Sequence, residues 1–188
     1  MTTLIVGMVL FFGAHLVPMT PLKPALLRSM GEQIYKSLFA LVSLAGLVTI
    51  IWGYSFAKNG PAGADLIYEP APWARHVTFL FVLLAFISLA ISFHKGRLKL
   101  WLKNPMSIAV ALWAIGHLIA NGALPDILLF GSFLVFALLD IAYSTAAGKA
   151  PSFTPKPRQD IIAPIAGVAM YAIFLALHKW LIGVSPFG

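Results

Sequence analysis

Apolar residues run along this chain in six long stretches, each closed by proline, glycine or a cluster of charge. The first, from about Thr3 to Val17, stops at Pro18. A proline-punctuated loop, PMTPLKPALLRSM, leads to the second, about Glu32 to Ala57. Glu32 falls in its first turn, where the helix dipole favours an acid. The third runs from about Trp73 to Phe93, between KNGPAGADLIYEPAP and the basic loop HKGRLKLWLKN. Pro105 is placed to open the fourth, because a first-turn proline gives up only a donor without a helical partner. Asn121-Gly122 closes that stretch. A very short link follows, so the fourth and fifth stretches should form an antiparallel hairpin. The fifth covers about Asp126 to Tyr143, and the sixth, after GKAPSFTPKPRQD, about Ile161 to Ile182.

A bilayer core about 30 Å thick needs roughly 20 apolar residues per helical span. The pattern therefore predicts an all-α fold, a polytopic integral membrane bundle of about six transmembrane helices. It reads as a single transmembrane domain over residues 1–188, with the lipid bilayer as its partner. The first stretch lacks a basic n-region and an A-x-A site, so it reads as a span and not as a signal peptide. No internal repeat or soluble domain interrupts the series.

Composition agrees. Of the 188 residues 60% are hydrophobic and 10% charged, against roughly 25% charged in a soluble domain. The net charge of +7 is explained by its placement. Lys23, Arg28, Lys36, Lys95, Arg97, Lys99, Lys103, Lys149, Lys156 and Arg158 fall on one side of the expected spans. Only Lys58, Arg75 and Lys179 fall on the other. Basic residues gather on the cytoplasmic side, which places both termini outside the cytoplasm and leaves no charge asking for nucleic acid.

Cysteine is absent. That excludes disulfides, thiolate zinc sites, iron–sulfur clusters and covalent c-type haem. Five histidines carry most of the remaining chemical vocabulary. His94 and His178 stand beside lysines at helix ends and read as interfacial residues. His15 and His117 lie inside apolar stretches, within roughly 10 Å of each other in depth by helical rise. A polar group inside a span is a functional hypothesis by default. Phe11 and Phe12 precede His15 by one turn, and Trp113 and Ala114 precede His117. An aromatic beside a small residue leaves space for a flat apolar ligand such as a porphyrin. Two histidines can supply both axial ligands of a b-type haem. They can equally be interhelical glue, with His117 bonded to Asn121 at i+4. Both readings stand at this point.

His76, after Trp73 and Arg75, reads as a belt residue or as a partner for Glu69 or Asp65. Asp140, in FALLDIAY, is the one carboxylate expected near hydrocarbon. It is expected to pair with Arg28 or Lys103. No chain of intramembrane acids accompanies it, which counts against an ion pump.

FFGAHL, GEQIYKSLFALVSLAGLVTIIWGY, PAPWARHV and NPMSIAVALWAIGHLIANGALPDILLFGSFLVFALLD together resemble the NnrU family. The resemblance runs from the first stretch to about Asp140, and the sixth stretch rests on hydropathy alone. It implies a bacterial inner-membrane protein linked to denitrification and nitric oxide metabolism. The plant branch, ζ-carotene isomerase, is a membrane haem b enzyme. Its two haem-ligating histidines fall on His15 and His117, and His76 matches a histidine shared by both branches. The resemblance thus implies a haem b between the first and fourth stretches, its iron held by His15 and His117. Phe11, Phe12, Trp113 and Ala114 would border it, and redox or sensing work would act on a nitrogen-oxide or lipid-like ligand.

Two positions depart from the family pattern. Ala114 stands where the plant branch has a cysteine, which counts against isomerase chemistry on a polyene. Lys103-Asn104-Pro105 stands where R-H-P is common, an element shared with membrane methyltransferases, and this weakens that alternative. A methyltransferase would need a nucleoside-sized pocket around Lys103. A cofactor-free structural or assembly protein would have histidines that only hydrogen-bond.

Overall fold

The computed structural model describes residues 1–187. Among them the chain folds into α1 (Thr2–Leu16), α2 (Leu22–Asn59), α3 (Ala74–Phe93), α4 (Arg97–Leu102), α5 (Pro105–Ala120), α6 (Leu124–Ala146) and α7 (Gln159–Ile182). The only β pairing among the described residues is an isolated bridge between Leu66 and Ala123. The all-α expectation holds. Five helices are long and apolar enough to cross a membrane: α1 with the 3-10 turn after it, α2, α3, α6 and α7. The sixth apolar helix, α5, has 16 residues. At ~1.5 Å per residue it covers only roughly 24 Å, short of a full span.

Two loops expected from the sequence are helical. Residues 22–30 form the first limb of α2, because Pro24 sits in its first turn and costs no hydrogen bond there. Gly31 then breaks the helix at φ 80°, a conformation that suits glycine, and the second limb starts at the expected Glu32. Lys36 pairs with Glu32 one turn on, at 2.6 Å. The basic loop after α3 contains α4.

Contacts divide the chain into two compact units. The first comprises Met1–Tyr68 and Gly122–Ser132. Here α1 packs on α2 through glycines. A Cβ added at Gly7 would lie 2.6 Å from the Ile50 nitrogen, and one at Gly46 would lie 2.7 Å from the Phe11 nitrogen. Small residues let membrane helices approach this closely, and the gain is van der Waals contact. A strap after α2 grips the start of α6, with Leu124 N donating to Asp65 O (2.9 Å) and Ile67 N to Gly122 O (2.8 Å).

The second unit comprises Glu69–Asn121 and Phe133–Gly188. In it α3 packs on both α5 and α7. Thr78 Oγ1 donates to Gly116 O (2.7 Å) and Ser88 Oγ to Pro105 O (2.8 Å), so two hydroxyls stitch α3 to α5. One end of the unit is tied by Lys156 N to Lys95 O (2.8 Å) and Leu98 N to Asp160 Oδ1 (2.9 Å). In both units large apolar side chains face outward, among them Trp52, Phe56, Leu80 and Ile161. Exposed apolar surface on this scale is tolerable where lipid replaces water.

Candidate functional site

His15 occupies the last turn of α1. Its Nδ1 lies 2.8 Å from the Phe11 carbonyl. A carbonyl only accepts, so Nδ1 carries a proton and donates it, which leaves Nε2 as the nitrogen that could ligate. The imidazole stacks on the Phe11 ring (4.1 Å between centroids, 28° between planes) and meets Phe39 of α2 at 5.1 Å. Phe11 therefore covers a face of the imidazole, and Phe12 touches Phe11 edge-on at 5.4 Å. An imidazole ligates through its ring edge, and the stack on Phe11 fixes the plane in which that edge lies.

His117 repeats the arrangement on α5, in the second unit. Its Nδ1 donates to the Trp113 carbonyl (2.9 Å) and its ring lies 5.2 Å from the indole. Trp113 is in turn held edge-on by Phe133 (5.5 Å, 89°). Asn121 Nδ2 donates to the His117 carbonyl at 2.9 Å, capping the end of the helix. Ala114 is fully buried. Fixing one ring nitrogen by a backbone carbonyl is the usual outer-shell arrangement for a metal-ligating imidazole. His94 makes the same bond to Ala90 (2.7 Å) but has no aromatic partner among the described residues. The ring contacts are what set His15 and His117 apart.

Beside His15 lies a feature that the sequence did not mark. Tyr35 Oη and Ser43 Oγ are buried and have no hydrogen-bond partner. With Phe39 between them they fall at i, i+4 and i+8, one stripe of α2, and Phe39 is the residue that touches His15. Thr49, farther along, satisfies its hydroxyl on the Ala45 carbonyl at 2.8 Å, the usual outlet for such a group in a helix. Ser43 does not. Buried hydroxyls without partners call for an explanation such as a bound group or water.

Asp126, which the sequence marks only as the start of the fifth stretch, is fully buried in the first unit. It accepts from Tyr54 Oη (2.7 Å), from Lys58 Nζ (2.6 Å) and from the Ala123 nitrogen (3.2 Å). The last contact is half of a capping box at the start of α6. Tyr68, in the strap, is held above the ordinary tyrosine range by burial and then by the Asp126 charge. No sequence signal links Asp126 to Lys58, which lies 68 positions earlier.

Asp140 departs from its expected pairing. Asn104 Nδ2 donates to its Oδ2 (2.7 Å) and Ser107 Oγ donates to the same oxygen, so two neutral groups on α5 hold it. The ion pairs among the described residues are Lys36–Glu32 and Lys58–Asp126. His76 is exposed at the start of α3, and neither Glu69 nor Asp65 is ion-paired with it. No cluster of three His, Asp or Glu among the described residues could chelate a metal ion. A porphyrin iron needs no such cluster, because the ring supplies most of its donors and a protein adds single side chains such as an imidazole.

Together these features define an all-helical protein of membrane-spanning type with two oriented histidines in its apolar helices. The chain belongs to the NnrU family, described as NnrU protein, which matches residues 3–186. The match therefore takes in α7, which the sequence motifs left outside the resemblance. No curated protein and no solved structure matches the chain.

Proposed function

We propose that the protein is a multi-pass protein of the bacterial inner membrane that holds a haem b through His15 and His117 and serves nitric-oxide-linked redox or sensing chemistry. The observation that carries this reading is the pair of buried hydroxyls, Tyr35 and Ser43, on the helix face that meets His15. A buried donor without a partner costs about 1–3 kcal/mol. The carboxylates of a bound porphyrin would remove that cost. In each histidine the Nδ1 proton is already committed to a backbone carbonyl, so Nε2 would be the ligating atom. A haem held by these two imidazoles would supply one-electron transfer or gas-binding chemistry. Phe11, Phe39 and Trp113 keep the surroundings apolar and hold the rings in orientation. Ala114 offers no thiol, so the isomerase reading lacks the ligand exchange that its plant relative uses.

The test is an absorption spectrum of the detergent-solubilised protein from haem-replete cells. A sharp reduced α-band is expected, lost in His15→Ala and in His117→Ala. Tyr35→Phe is expected to keep the band position while haem is released several-fold faster to a scavenging apoprotein. A colourless wild-type protein overturns the reading.

A further inference from the structure

At the basic end of the second unit lies an open cleft of about 480 Å³, within the ordinary size range of small-ligand sites. Lys103, Asn104, Asp140, Ser144 and Lys149 line it, with the turn at 148–151. Three observations bear on what it takes. Asp140 is held by neutral donors only, so its charge has no cation within ion-pair distance among the described residues. A carboxylate beside membrane-spanning helices is ordinarily paired with a cation. Lys103 likewise has no carboxylate partner, although φ of +59° makes it the one non-glycine residue with positive φ among those described. Gly148, at φ 62°, reverses the chain after α6 and brings Lys149 back over the Tyr143 ring at 4.3 Å, fixing a second cation at the rim. The cleft thus carries two positive groups and one negative group with no ion-pair partner among the described residues.

The ligand this complements has an anion and a primary ammonium close together. Its surroundings select a lipid as the source. Trp101, two residues before Lys103, is 83% exposed on the short basic helix α4, the placement of an interfacial tryptophan at headgroup level. We propose that this cleft binds the headgroup of an aminophospholipid. Its phosphate is held by Lys103 and Lys149, and its ammonium donates to Asp140. The site shares no residue with those proposed for haem and does not depend on them. Lys103-Asn104-Pro105 acquires a role here: Asn104 caps α5, accepting from Ser107 N at 3.3 Å, and the same side chain positions Asp140.

The test is native mass spectrometry of the intact protein in detergent, titrated with phosphatidylethanolamine, phosphatidylcholine and phosphatidylglycerol of matched acyl chains. Phosphatidylethanolamine is expected to bind at least ten-fold more tightly than the other two. Phosphatidylcholine keeps the charge but has no ammonium hydrogen to donate, and phosphatidylglycerol has no ammonium. Asp140→Asn keeps an acceptor for Asn104 and Ser107 and is expected to abolish that preference. Lys103→Gln and Lys149→Gln are expected to weaken all three lipids several-fold. Equal binding of the three lipids by the wild-type protein overturns the proposal, and this arm needs no variant to fold. Free O-phosphoethanolamine is expected to compete only at concentrations a hundred-fold higher than the lipid. Equal potency would overturn a membrane lipid as the occupant, as would displacement of the lipid by S-adenosylmethionine.

Discussion

At the residue scale, the fully buried Asp126 carboxylate, held by the part-buried Lys58 and Tyr54, places the heaviest demand on the first unit. A carboxylate at 0% exposure is tolerable only while its donors remain. Asp126→Asn should cost about 3 kcal/mol, because it removes the charge to which both Lys58 and Tyr54 donate. Lys58→Met should cost a similar amount by stranding the carboxylate. The double variant should recover part of the loss, since neither charge is then left alone. Reversible unfolding in mixed micelles measures all three, and additive losses in the double variant would contradict the coupling. His15 and His117 were legible in the sequence because any polar residue stands out in an oily run. Asp126 and Lys58 were not, because each sits at a helix end where charge is ordinary. Tyr35 and Ser43 were silent for another reason. Nothing in their neighbours shows that the hydroxyls are buried.

At the element scale, the α1–α2 pair rests on backbone approach. Gly46→Ala and Gly53→Ala each put a methyl against the backbone of α1, at Phe11 and Leu4. Overpacking of this kind costs about 1–3 kcal/mol, and the loss should register in the same unfolding measurement. Gly13→Ala is the control. Its Cβ would meet nothing within 4 Å, so the variant should be unchanged or more stable by up to about 1 kcal/mol, from helix propensity alone. A loss at Gly13 equal to that at Gly46 would refute the packing explanation. The positions and kinds of the long helices followed from hydropathy to within a few residues. The first limb of α2 did not, because Pro21 and Pro24 resemble a loop until their place in a first turn is seen. For α4 the obstacle was length, since a helix of 6 residues has too few turns to show a period.

At the scale of the whole molecule, the question is which way the chain crosses the bilayer. Lys95, Lys103, Lys149 and Lys156 lie at one end of the second unit, where Lys95 and Lys156 share a backbone bond. Arg75, at the start of α3, donates to the Phe187 carbonyl beyond the end of α7 (2.8 Å). Because the chain has no cysteine, single cysteines can be placed without first removing any. Lys95→Cys and Lys156→Cys should react with an impermeant maleimide only after the cytoplasmic side is opened, and Lys179→Cys in intact spheroplasts. The reverse pattern would invert the topology. By itself the sequence determined the class of protein, its apolar helices, its family and the histidines worth testing. Each of these is written in local composition or in a motif. The tertiary structure decided which polar groups meet: Asp126 with Lys58 and Tyr54, Asp140 with Asn104 and Ser107, and the stripe of α2 laid against His15. Those pairings depend on side chains far apart in the chain reaching one point in space, and helical periodicity carries no record of that.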